Sequence, residues 1–194
     1  MVLKNLGYDS TALGFTAGFV GNEIIRLLNE KGVDTDFIPV EKGVSRTNVK
    51  LRSNEESEIN GQGPKIEEAD IKKLYKQLDG LSEGDVLVLA GSIPNVMPSS
   101  MYMDIMDYLK EKDIKIVVDA TRDLLTNVLP YHPFLIKPNN HELGEIFGVE
   151  ISEKDDVIKC AKMLQEQGAR NVLVSMAGDR AVLVSEDGQE FKAE

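Results

Sequence analysis

Several short stretches of this 194-residue chain bring together residue types that manage charge or hydroxyl groups. The run Lys137-Pro138-Asn139-Asn140-His141-Glu142 sets a cation, an amide and a carboxylate within a few residues of one another. A lysine can neutralise phosphate charge, and an amide with a carboxylate can hold a hydrated divalent cation such as Mg2+. The same spacing also serves a helix: Asn139 as N-cap and Glu142 three residues later make a capping box that needs no ligand. From the residues alone both readings stand. His141 reads as a surface helix residue, because no second histidine or cysteine has metal-site spacing.

Two more candidates follow apolar runs. In Ala90-Gly91-Ser92-Ile93-Pro94 the glycine lets the backbone approach a ligand, and the Ser92 hydroxyl can donate to a sugar oxygen; a plain strand-to-helix turn would look the same. In Ser175-Met176-Ala177-Gly178-Asp179 a glycine–aspartate pair suggests an anion hole. That function requires a helix N-terminus behind it, whereas Arg180 leads into the extended Ala181-Val182-Leu183-Val184. A hairpin turn fits better, with Ser175 as a polar contact. Arg46-Thr47-Asn48 offers a guanidinium suited to a bidentate grip on phosphate, although a lone surface arginine more commonly faces solvent. The glycine-rich Glu58–Pro64 suits a hinge. GxxxxGK[ST], GxGxxG and HExxH do not occur, which counts against a P-loop kinase and a dinucleotide-binding Rossmann enzyme.

The elements that must position these residues read as alternating strands and helices. Val86–Ala90, Ile116–Val118 followed by Asp119, Phe134–Ile136 and Val172–Val174 are continuous apolar runs, the pattern of strands covered on both faces. Between them helical spacing predicts helices over about 67–81, 99–112 and 155–167, the last ending at Gly168. This alternation predicts a parallel sheet, with ligands beyond the C-terminal ends of its strands. Residues 36–63 differ: DFIPV, SRTNVKLRS and SEING are extended pieces with no helix between them. They predict a small antiparallel flap with an exposed apolar face and open edges, which calls for a partner surface. The expected division is an α/β core over 1–35 and 64–194 with a β-lid at 36–63. Val2–Leu6 reads as a helix end and Ala12–Phe15 as a strand, while Ala181–Val184 and Gln189–Lys192 form a closing two-strand pattern.

Composition bounds the function. Hydrophobic residues at 42% and charged residues at 28% fit a globular protein with a core. A net charge of −11 argues against a nucleic-acid surface or a basic membrane patch. One cysteine, Cys160, leaves no internal disulfide and points to a reducing compartment, hence a cytoplasmic location. No apolar run approaches the ~20 residues of a membrane-spanning helix.

Taken in order, Ser45–Leu51, EINGQGP at Glu58–Pro64, LAGSIP at Leu89–Pro94, FLIKPNNHELGEIFG at Phe134–Gly148 and VLVSMAGDRA at Val172–Ala181 resemble the PfkB (ribokinase-like) carbohydrate kinases. The branch they resemble holds 1-phosphofructokinase and tagatose-6-phosphate kinase, with Asn139…Glu142 the most specific marker. The resemblance implies a three-layer, mostly parallel sheet with a β-lid that closes over a phosphosugar. It implies ATP-dependent phosphoryl transfer to a sugar hydroxyl, with fructose 1-phosphate as the leading acceptor. It places Arg46, Asn48 and Ser92 on the substrate. It places Lys137, Asn139, Glu142, Ser175 and Gly178 on the nucleotide, with Glu142 reaching Mg2+ through water. It implies a homodimer paired through the lid. The family's GGKG-like loop and GAGD motif, which carries the catalytic base, do not occur in these residues. The expectation is therefore a chain truncated at both ends relative to the family, with no catalytic residue of its own and negligible activity. Arg180 stands where relatives commonly carry glycine.

Overall fold

The computed structural model describes residues 2–52, 56–91, 93–94, 97–121, 123–151, 153–176 and 180–193. The chain divides into two compact units, 1–80 and 81–194.

In the first unit, α1 (Val2–Asn5) precedes β1 (Thr11–Thr16), α2 (Gly18–Glu30) and β2 (Asp34–Pro39). β1 and β2 pair in parallel, from Thr11 opposite Asp34 to Thr16 opposite Pro39. Helix α2 is absent from the sequence reading, because Gly18 and Gly21 interrupt its apolar spacing. Gly21 is nevertheless required there: a Cβ would lie 2.9 Å from Thr16 Cβ, so the glycine lets the helix rest on the end of β1. Ser45 ties the following segment down. Its N–H donates to Ala17 O at 3.0 Å, and its Oγ accepts from Ala17 N at 2.9 Å.

The chain then forms a hairpin of β3 (Asn48–Arg52) and β4 (Glu56–Asn60), antiparallel with Asn48 opposite Asn60. Residues 36–39, read from sequence as extended pieces of the flap, belong instead to the parallel strand β2. Among the described residues of the first unit, antiparallel pairing is thus confined to β3 and β4. An extended pattern reveals a strand but not its partner, which explains the difference. Val49, Leu51 and Ile59 occupy one hairpin face and are 44%, 52% and 61% exposed, as an open apolar face requires. Helix α3 (Glu68–Leu78) closes the unit, burying Leu74 and Leu78, and its Gln77 Nε2 donates to Asp36 O at 2.8 Å.

The second unit is built on a six-stranded sheet in the order β10-β9-β8-β7-β6-β5. The strands are β5 (Val86–Ala90), β6 (Lys115–Asp119), β7 (Leu135–Ile136), β8 (Asn171–Met176), β9 (Arg180–Val184) and β10 (Glu190–Lys192). β5 to β8 are mutually parallel, while β9 and β10 run antiparallel to their neighbours. The β8–β9 pairing fits the hairpin read from the sequence between them.

The helices are α4 (Met101–Leu109), α5 (Asp123–Thr126), α6 (Asn140–Phe147) and α7 (Lys154–Glu166). Ile105, Met106 and Leu109 of α4 and Val157, Ala161 and Leu164 of α7 are buried. So are Val118, Ile136, Val172, Val174, Val182 and Val184, which share one sheet face. Each such side chain contributes roughly 1.5–3 kcal/mol. The alternate positions on the other face are only partly covered, so the expectation of strands buried on both faces is met on one face alone.

Candidate functional site

Because β6, β7 and β8 are parallel, their C-terminal ends lie on one edge of the sheet. Asp119 ends β6, Lys137 follows the last residue of β7, and Ser175 sits near the end of β8. Pro138 has no N–H, but its carbonyl accepts from Ser175 N at 3.0 Å, and Asn139 forms a parallel bridge with Ser175. The connection into α6 therefore runs along β8 rather than leaving the sheet.

At the start of α6, Asn139 Oδ1 accepts from Glu142 N at 2.9 Å and Glu142 Oε2 accepts from Asn139 N at 2.8 Å. The capping-box reading of this spacing is therefore realised. It does not use Glu142 Oε1 or the Asn139 side-chain N–H groups, so capping fixes both residues while leaving polar atoms for a ligand. Lys137 Nζ lies 3.1 Å from Asp119 Oδ1, with the two side chains 38% and 43% exposed. A pair this open is worth about 1 kcal/mol at most. It orients the lysine without preventing it from meeting an anion.

Asp119 and Tyr102 were not singled out by sequence. The signal for Asp119 was available: it is a carboxylate ending an apolar parallel strand. Gly91, in the left-handed region at φ +88°, is held from two sides. Its N–H donates to Asp119 O at 3.2 Å, and its carbonyl accepts from Tyr102 Oη at 3.2 Å. Burial, aided by the Asp119 charge, pushes the Tyr102 hydroxyl above its ordinary value, so it stays a donor through neutral pH. Ser92, next in the loop, lies outside the described residues, as does Gly178. His141 is exposed, in keeping with a surface helix position.

The first unit carries the other candidates. Arg46 Nε donates to Asn48 Oδ1 at 2.9 Å, both side chains being exposed at the start of β3. Gly61 N donates to Thr47 O at 3.1 Å and closes the hairpin base. The structure thus gathers Lys137, Asn139, Glu142 and Ser175 in one unit and pairs Arg46 with Asn48 in the other. A separate cavity of about 190 Å³ in the first unit, lined by Lys42, Lys65, Lys73, Glu67 and Asp70, contains none of them. Its lysines already face these carboxylates at 3.0–3.9 Å.

Among the described residues no cluster of three or more histidine, cysteine, aspartate or glutamate side chains could enclose a metal ion. Mg2+ does not need such a cage, since it keeps several waters and binds one or two carboxylates together with phosphates. Glu142, whose Oε1 the cap does not use, is a carboxylate that suits that mode. No helix among the described residues is long and apolar enough to cross a membrane.

Comparison with known proteins adds an independent line. The family model for pfkB family carbohydrate kinases matches residues 1–194. A 1-phosphofructokinase of Bacillus subtilis is 44% identical over 190 residues, covering 98% of this chain and 62% of that protein. A D-tagatose-1-phosphate kinase of Bacillus licheniformis is 40% identical, covering 93% of this chain and 60% of that protein. The crystal structure of a candidate phosphofructokinase from Staphylococcus aureus superposes with a TM-score of 0.83 at 40% identity, over 95% of this chain and 60% of that one. The chain spans about three fifths of the length of these relatives. With the motifs in order and the whole chain matched, this protein belongs to the pfkB family of carbohydrate kinases.

Proposed function

We propose that this chain belongs to an ATP-dependent phosphosugar kinase, a 1-phosphofructokinase converting fructose 1-phosphate to fructose 1,6-bisphosphate. The observation that carries the reading is the strand-end cluster of Lys137, Asn139, Glu142 and Ser175, organised by the cap of α6 and the Asn139–Ser175 bridge. In this reading Lys137 meets the nucleotide phosphates, and Asn139 and Glu142 hold Mg2+, Glu142 through water. Ser175 and Gly178 line the nucleotide. Arg46, steadied by Asn48, meets the phosphate already on the sugar, and Ser92 contacts the sugar from its loop. ATP supplies the phosphoryl group; the residues here position it and offset its charge, the main sources of rate in such transfers.

The acceptor hydroxyl must lose a proton, and the family's GAGD aspartate is not among these 194 residues. Loss of a general base costs about 10²–10⁴ in rate, and loss of an anion-hole donor about 10²–10³. Negligible turnover is therefore expected of residues 1–194, in a cytoplasmic setting. A tagatose phosphate is the alternative acceptor. The tagatose-named relative acts, by its name, on the 1-phosphate, which favours that position over the 6-phosphate. The exposed hairpin face supports a second reading, a non-catalytic remnant that binds ligand or pairs with another copy through the lid.

Calorimetry of residues 1–194 with MgATP, fructose 1-phosphate, tagatose 1-phosphate and tagatose 6-phosphate tests the proposal. Binding of MgATP that weakens tenfold or more in Lys137→Ala supports it. A folded chain that binds none of the four overturns the kinase reading, and ordinary turnover of fructose 1-phosphate overturns the missing-base reading.

A further inference from the structure

The loop after β5 leaves the sheet at the edge that carries the candidate site, because Ala90 stands opposite Asp119 in the parallel register of β5 and β6. Gly91, the first residue past the strand, is exposed and has φ +88°. A Cβ there would meet no atom of the other described residues within 4 Å, so packing does not demand a glycine. The left-handed backbone does, and it leaves open space beside the Gly91 Cα. Glycine is also the residue most free to leave any one conformation, so a glycine that serves as a surface for a ligand needs ties from outside.

Two such ties hold Gly91, one on each of its peptide groups. Its N–H donates to Asp119 O at 3.2 Å, and its carbonyl accepts from Tyr102 Oη at 3.2 Å. Tyr102 lies in the first turn of α4, on the helix face that also carries Ile105, Met106 and Leu109. Those three are 3%, 3% and 1% exposed, so α4 is anchored in the core and its half-buried tyrosine carries that rigidity to the loop. A phenylalanine would fill the same apolar volume; what the hydroxyl adds is the bond to the Gly91 carbonyl. Lys137, Asn139 and Glu142 are held by other contacts, Asp119 and the cap of α6. We infer that Tyr102 is a positioning residue for the sugar: it fixes Gly91 so that the bare side of this loop stays open to the phosphosugar. This role deepens the proposed function and rests on its placing the sugar at this loop.

The test is calorimetry of residues 1–194 and of Tyr102→Phe, with fructose 1-phosphate and separately with MgATP. Tyr102→Phe keeps the ring and releases one hydrogen bond, so fructose 1-phosphate should bind about fivefold more weakly. MgATP affinity should stay within about twofold of the parent. A damaged fold weakens both ligands alike, so the split between them separates positioning from stability. Gly91→Ala, strained at φ +88° with Tyr102 intact, is the second variant and should give the same split. Absence of the split from both variants, or an unchanged sugar affinity in Tyr102→Phe, overturns the inference alone. A parent chain that binds MgATP but no phosphosugar overturns it together with the sugar assignment, and one that binds neither overturns the kinase reading as well.

Discussion

Lys137 and Asp70 show how differently one ion pair can act depending on its surroundings. Lys137 meets Asp119 in the open, where water screens the pair, so the contact directs the side chain more than it stabilises the fold. Asp70 is 8% exposed and joins Lys73 at 3.0 Å to the Glu67 N–H at 3.2 Å at the start of α3. The Lys73 hydrogen bond, with help from the Glu67 N–H, holds the Asp70 carboxyl below the usual carboxylate range, against the opposing pull of burial. A depressed folded value means the carboxylate stabilises the protein above the unfolded value, near pH ~3.9. That stabilisation is lost as pH falls through the folded value. Asp70→Asn should therefore cost about 1 kcal/mol near pH 7, with the deficit shrinking toward zero in acid. Chemical denaturation at pH 7 and below pH 3 measures both limbs, and a pH-independent deficit would exclude the charged cap as its source.

At the scale of the element, α6 is the piece that joins folding to chemistry. Eight residues are too few to form a stable helix alone, so its reciprocal cap and the burial of Leu143 and Gly144 hold it. Gly144 has its own constraint: a Cβ there would sit 2.6 Å from Val149 O. Asn139→Ala is expected to cost about 1 kcal/mol in stability, read by thermal unfolding. If Asn139 also serves the nucleotide, MgATP binding falls by more than the roughly fivefold that a loss of that size explains. A fall no larger than that would assign Asn139 to capping alone. The hairpin makes the complementary case. Lys50 and Glu58 face each other at 2.6 Å on its polar face, while Val49, Leu51 and Ile59 lie open on the other. Replacing Val49 and Ile59 together by lysine should convert any lid-paired dimer to monomer in sedimentation velocity, with circular dichroism unchanged. A dimer that survives must pair elsewhere.

For the molecule as a whole, net charge and surface apolarity oppose one another. A charge of −11 keeps copies apart, while the open sheet face and the hairpin face both favour association. The fully covered face, by contrast, supplies a core for the second unit. Val118, Leu125, Val128, Ile136, Leu143, Val157, Ala161, Leu164, Val172 and Val174 are all entirely buried. That core holds the strand ends, and with them the candidate site, in a fixed order. The proposed negligible turnover is thus a statement about missing chemical groups rather than about a failed fold.

Much of this was legible in the residues themselves, because local physics writes local patterns. Val86–Ala90 was found with its boundaries intact, since five apolar residues between polar turns have few other options. Asn139…Glu142 announced the cap of α6, because that geometry depends on atoms three residues apart. Partnership was not legible. DFIPV looked like flap and proved to be a parallel partner of β1, because an extended segment carries no mark of which strand it will meet. Gly21 hid α2, since its fitness lies in a contact with Thr16 that only the packed helix makes. Asp119 joined Lys137 only when parallel pairing brought two strand ends together. The apolar runs recorded that both sheet faces are built for burial. Which face these residues cover was decided by tertiary packing, because burial belongs to surfaces in contact and not to any segment alone.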